Sequence, residues 1–122
     1  MQKHDIYKRI EDFVVGVIGF IDVLTRSFSG RIIAKQLLRS ATSVGANMQE
    51  ADGAVSRKDF VNKVGIARKE SQETRYWLNL LLKAKQIKDQ EKISVLVRLH
   101  RECDEISKIL SSIMNNARKN II

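Results

Sequence analysis

No proline interrupts the 122 residues of this chain, and apolar side chains recur along it every three or four positions. Chains built from short strands and tight turns normally use proline and frequent glycine as punctuation. Here proline is missing and only 6 glycines are present, which favours long helices. The first predicted helix spans 5–27, with Ile6, Ile10, Phe13, Val17, Phe20, Ile21 and Leu24 on one face. Ser27-Phe28-Ser29-Gly30 reads as a break. The second helix, 31–51, faces the core with Ile33, Leu37, Ala41, Val44, Met48 and Ala51. Gly53 follows as a left-handed cap. Ser56 and Asp59 have the spacing of a capping box and open the third helix, 57–85. The fourth, 89–117, presents Ile93, Leu96, Leu99, Cys103, Ile106, Leu110 and Ile113. Residues 118–122 are expected to fray. The connections are short, and short connections join antiparallel neighbours. The expected fold is therefore all-α, an antiparallel up-and-down four-helix bundle forming one domain over 1–122.

The longest apolar run, Phe13 to Ile21, is nine residues, and a membrane span needs about 20. Glu11 and Asp12 precede it, which is the wrong flank for a secretory signal. The expectation is a cytoplasmic protein with no membrane partner. Hydrophobic content of 43% beside 30% charged residues excludes wholesale disorder. Cys103 is the sole cysteine and lies among the apolar positions of the last helix, so it reads as a small core residue.

Charge is unevenly placed. The whole chain carries a formal +8, and residues 55–86 hold eight basic and three acidic side chains, a net +5. At about 100° per residue, Phe60, Val64, Ala67, Ser71, Leu78, Leu81 and Leu82 share the core arc of the third helix. Arg57, Lys58, Arg68, Lys69, Arg75 and Lys83 fall together beside it. Arg31, Lys35 and Arg39 recur every four residues on the second helix. These stripes are expected to form a basic groove between helices two and three that contacts phosphates. A localised basic field suits a polyanion, usually nucleic acid. A purely solvated, salt-bridged face is the bland alternative. No groove-reading motif is visible, so little direct base readout is expected. Ile66, Trp77 and Leu80 occupy a third sector away from the core. An apolar patch outside the core marks a contact surface, with Trp a usual anchor, so these residues are the expected oligomer interface.

Arg39, Asn47, Glu50, Glu70 and Glu73 form a polar set within the helices. No nucleophile or positioned histidine accompanies the carboxylates, and neither His4 nor His100 belongs to a metal-binding spacing. The set is therefore read as structural. Asn47 and Glu50 are expected to bond to neighbouring helices, and a buried carboxylate to meet Arg39, since buried charges must be paired. No catalysis, metal or cofactor is expected.

The stretches R-S-A-T-S-V-G-A-N-M-Q-E-A (39–51), S-R-K-D-F (56–60), I-A-R-K-E-S-Q-E (66–73) and W-L (77–78) resemble the bacterial "four helix bundle protein" family. That family includes proteins encoded in intervening sequences of 23S rRNA genes, and is similar to the accessory variability determinant proteins of diversity-generating retroelements. The resemblance covers nearly the whole chain in length and helix pattern. It implies a homopentamer around a central channel. In the retroelement branch it implies a basic, non-catalytic protein that binds nucleic acid and a reverse transcriptase. Arg39, Asn47, Glu50 and Glu73 match polar positions of the family pattern, which implies structural or interfacial roles. Ala51-Asp52-Gly53 departs from the family's glycine near the end of helix two.

Two functions of different class follow. One is an accessory factor that binds RNA or DNA through phosphate contacts, beside a reverse transcriptase or another protein. The other is a structural or protein-interaction oligomer without a specific nucleic-acid role.

Overall fold

The computed structural model describes residues 3–119, with side chains from residue 6 onward. Four α-helices are present, with no strand among the described residues: α1 Lys3–Phe20, α2 Phe28–Asp52, α3 Arg57–Ala84 and α4 Gln90–Arg118. A short 3-10 segment, Ile21–Leu24, extends α1. Each helix packs against the next, and α1 also packs against α4. Cross-helix bonds give the register. Ser29 meets Gln86 and Glu50 approaches Lys63, so α2 and α3 run antiparallel. Arg68 meets Ser111 and Arg75 meets Asp104, so α3 and α4 do too.

Hydrophobic periodicity explains the core. Val17, Leu37, Ala41, Val44, Val64, Ala67, Leu78 and Leu110 are all 0% exposed. Burying a large aliphatic side chain contributes about 1.5–3 kcal/mol, and several such groups come from each helix. Ala41 and Ala67 sit where larger residues would hold helices apart, and hydroxyls fill the same layer. Thr74 Oγ1 lies 2.8 Å from both Ser40 Oγ and Glu70 O of its own helix, with its one O–H shared between them. Ser71 and Ser107 hydroxyls lie 2.7 Å apart between α3 and α4. Cys103 donates from Sγ to Ser71 O at 3.2 Å. Burial pushes its thiol up to about 12, so it is a packed core group at neutral pH.

The helix ends correct three expectations. The first helix does not continue to Ser27: it tightens to 3-10 geometry after Phe20, and Thr25 closes the turn onto Asp22 O. The predicted break at Ser27–Gly30 is instead the start of α2. Ser27 is its N-cap, accepting from the Gly30 N–H at 3.0 Å. Gly30 is buried, and a Cβ there would collide with Leu24 O. Its role is close approach, not chain breaking. Gly53 is not left-handed: its φ is −97°, and Ala54 N–H closes the turn onto Ala51 O. The left-handed cap falls instead on Lys85, at φ 55° after α3.

The remaining ends agree with the sequence pattern. Ser56 caps α3 by accepting from the Asp59 N–H at 3.0 Å. Asp89 caps α4 by accepting from Glu91 and Lys92. Of the segment expected to fray, Arg118 ends α4, and residues 120–122 lie outside the described residues, as does the His4 side chain.

Candidate nucleic-acid interface

The basic side chains split into groups with different surroundings. Arg39 reaches across from α2 to α3, where it bonds Glu70 at 2.9 Å and also bonds Glu73. Glu70 is buried, so this pairing supplies the partner a buried carboxylate requires. Glu73 also accepts from the Trp77 indole N–H at 3.0 Å. That bond, ahead of the one from Arg39, holds its carboxyl below the usual carboxylate range, while the Arg39 guanidinium is raised by both carboxylates, Glu73 first. The Arg39–Glu70–Glu73 part of the expected polar network is therefore present and extends to Trp77.

Asn47 departs from expectation. Its amide donates to Ser43 O and Ser43 Oγ, on its own helix, because one turn back a backbone acceptor is already within 2.9 Å. Glu50 does approach a neighbouring helix, with Lys63 at 3.8 Å, in an exposed position that is worth little.

The expected basic groove between α2 and α3 does not form. Arg68 Nε donates to Ser111 Oγ at 2.7 Å, and Arg75 pairs with Asp104 at 2.8 Å, so both turn toward α4. Arg75 and Lys108 together hold the Asp104 carboxyl below its ordinary value. On α2, Arg31 folds back to Thr25 O at 3.2 Å while Arg39 crosses to α3. Lys35 is exposed between them. The α2–α3 groove carries Glu70 and Glu73 where the phosphates were to sit. A wheel places residues on an arc but does not say which neighbour flanks each side of it.

Lys58 and Lys69 remain exposed and share a notch of about 350 Å3 with Arg118 of α4. Asn62, Gly65 and Ile66 complete most of its lining, and among the described residues no carboxylate lines it. Arg118 was missing from the sequence reading, because sequence periodicity does not show that the end of α4 lies beside the start of α3. Arg57 lines a second, larger cavity at the same end of the bundle, of about 920 Å3.

Ile66, Trp77 and Leu80 are each half-buried. Trp77 packs on the edge of the core, and its ring meets Tyr76 edge-on at 5.1 Å between centroids. The fully exposed part of this face was not foreseen. Phe28 is 73% exposed, Ile32 47% and Tyr76 54%. Phe28 and Ile32 lie eleven and seven residues before Arg39, hence on the same stripe of α2 that meets Glu73 and Trp77. The α2–α3 face thus carries exposed aromatic and aliphatic side chains along the same stripe as one ion-pair cluster.

Among the described residues, no three His, Cys, Asp or Glu side chains gather as metal ligands, and no helix is long and apolar enough to cross a membrane. The chain matches the family model described as 23S rRNA-intervening sequence protein over residues 2–112. Among solved structures it is similar to a protein of unknown function of the S23 ribosomal protein family from Bacteroides thetaiotaomicron VPI-5482. That likeness has 38% identity and a TM-score of 0.78, and covers 89% of this chain and 97% of the other. Among curated proteins none matches.

Proposed function

This chain belongs to the 23S rRNA-intervening sequence protein family, and from that premise we propose that it is a non-catalytic, cytoplasmic, homo-oligomeric protein that binds nucleic acid through phosphate contacts. The notch of Lys58, Lys69 and Arg118 carries this reading. Three cations converge there with no carboxylate among the described lining residues, and their field is available to an external anion. Arg57 extends the field on α3, whereas Arg31 and Lys35 lie toward the other end of α2, level with the C-terminal part of α3. Arg39, Arg68 and Arg75 serve chiefly to tie helices together. Arg39 and Arg75 keep little uncompensated charge for a ligand.

The α2–α3 face supports self-association. Trp77 is of the type that anchors interfaces, and Phe28, Ile32 and Tyr76 are exposed large hydrophobic residues on this face. A pentamer fits the family resemblance. Repetition of the notch around such a ring would multiply weak phosphate contacts into useful avidity. An accessory role beside an RNA, a reverse transcriptase or another protein follows.

The same face favours the second reading, a protein-interaction oligomer whose basic charge meets an acidic partner. Binding to structured RNA and duplex DNA across about 50–300 mM salt separates the two, with mass read on the same samples by light scattering. Phosphate-driven binding loses orders of magnitude over that window yet stays measurable near physiological salt. Loss of all binding below physiological salt, with the oligomer intact, sinks the nucleic-acid reading.

A further inference from the structure

We propose that the larger cavity, where the C-terminus of α2 meets the N-terminus of α3, accepts an unstacked nucleobase from a bulged or single-stranded RNA whose phosphates continue into the Lys58–Lys69–Arg118 notch. This rests on the nucleic-acid reading above and adds which RNA is preferred. The cavity measures about 920 Å3, within the range of about 300–1,000 Å3 usual for small-molecule sites. Its floor is apolar: Ile6 and Met48 are each 2% exposed. Two aromatic rings, Tyr7 and Phe60, line it and pack against the core from its walls. A base offers a flat apolar face to such rings and a polar edge to the rim.

The rim fits that ligand. Ser56 and Ser112 bring hydroxyl groups that can meet the polar edge of a base. Arg57 supplies the positive charge at the mouth. The chain itself links the two depressions. Arg57 lines the cavity and Lys58 the notch; Asn116 lines the cavity and Arg118 the notch. Successive residues of α3 lie about 100° apart around the helix, so the two depressions open on adjoining sectors of it. Apolar floor, aromatic walls and an adjoining cationic track are the parts of single-strand recognition, where stacking is tolerant of base identity. A lone wheel of α3 cannot reveal this, because Tyr7 and Asn116 come from the other ends of the chain.

The test uses one RNA hairpin in two forms, fully paired and with a single 2-aminopurine bulge, titrated with the intact protein at about 100 mM salt. The expected result is about 5- to 150-fold tighter binding of the bulged form, the range that base–aromatic stacking carries, with a change in 2-aminopurine emission. Phe60→Leu keeps the apolar volume and should remove the preference while leaving paired-hairpin binding and its salt slope unchanged. Ser112→Trp, at an exposed rim position, should do the same by filling the mouth. Equal binding of both hairpins by the parent, or a preference that survives both substitutions, overturns the cavity assignment and leaves phosphate binding standing. No binding of either hairpin at low salt overturns both.

Discussion

Arg75 Nη1 on α3 lies 2.8 Å from Asp104 Oδ1 on α4, and this pairing, with the Arg68–Ser111 bond beside it, turns two prominent arginines of the basic stripe into helix-to-helix ties. A stripe that looks uniform by charge is therefore two surfaces. One holds α3 to α4. The other, around Lys58 and Lys69, is open to an anion.

Charge reversal of Arg75 separates these roles. Arg75→Glu should lower stability by about 1 kcal/mol, the scale of partly exposed pairs, a fall of about 4 °C in Tm for a domain of this size. The swap Arg75→Glu with Asp104→Arg should recover most of it. RNA affinity should change little in the swapped protein. A large affinity loss that the swap fails to restore would return Arg75 to the binding surface.

The two corrected helix ends predict opposite outcomes for small changes. Gly30→Ala places a Cβ against Leu24 O at 2.1 Å and should cost about 1–3 kcal/mol, as overpacking does. Lys85→Gly relieves a left-handed non-glycine residue at φ 55° and should stabilise by about 1 kcal/mol. Thermal melts of the two variants should move apart. Both moving the same way contradicts the assigned cap geometry.

Acid should weaken the fold through Glu73 and Asp104. Trp77 and Arg39 hold Glu73 below the usual carboxylate range, and Arg75 and Lys108 do so for Asp104. In acid the unfolded chain then binds more protons than the folded one at these sites. Their contribution is complete above the ordinary carboxylate values, about pH 4–4.5, and is lost as pH falls through the depressed folded values. Tm measured from pH 7 downward should hold until about pH 5 and then drop. Trp77→Phe should make that drop shallower, since Glu73 loses its largest anion-stabilising contact. A Tm that rises on acidification contradicts this.

Much of the bundle is legible from spacing alone. Leu37, Ala41, Val44 and Met48 are buried where their periodicity puts them, and Ser56 caps α3 as its spacing with Asp59 suggests. The pairing of Arg39 with Glu70 follows from the need to neutralise a buried charge. What spacing cannot carry is the identity of the neighbour. Arg68 and Arg75 share an arc with Lys58 and Lys69, yet only helix packing decides that the arginines meet α4. Glycine misled for a related reason. Gly30 looks like a breaker, but it is small because Leu24 O approaches it, and the left-handed position went to Lys85 with no glycine to announce it.

Self-association should depend on the α2–α3 face. Phe28→Glu adds a charge at a position 73% exposed, so the bundle itself should fold normally. Its mass in solution should fall toward that of the single chain. Trp77→Ala should act in the same direction, with some loss of stability because Trp77 also packs on the core. An unchanged mass for both variants returns this face to solvent and confines Trp77 to its own bundle.

The most direct measurement is the affinity of the double variant Lys69→Glu/Arg118→Glu for the paired RNA hairpin, beside the parent and beside the Arg75/Asp104 swap, at about 100 mM salt. Each removed phosphate contact should lower the salt slope by about one, so the double variant should bind at least tenfold more weakly with a slope shallower by about two. The swap should match the parent. If the double variant binds as well as the parent, the notch of Lys58, Lys69 and Arg118 is not where this protein meets nucleic acid.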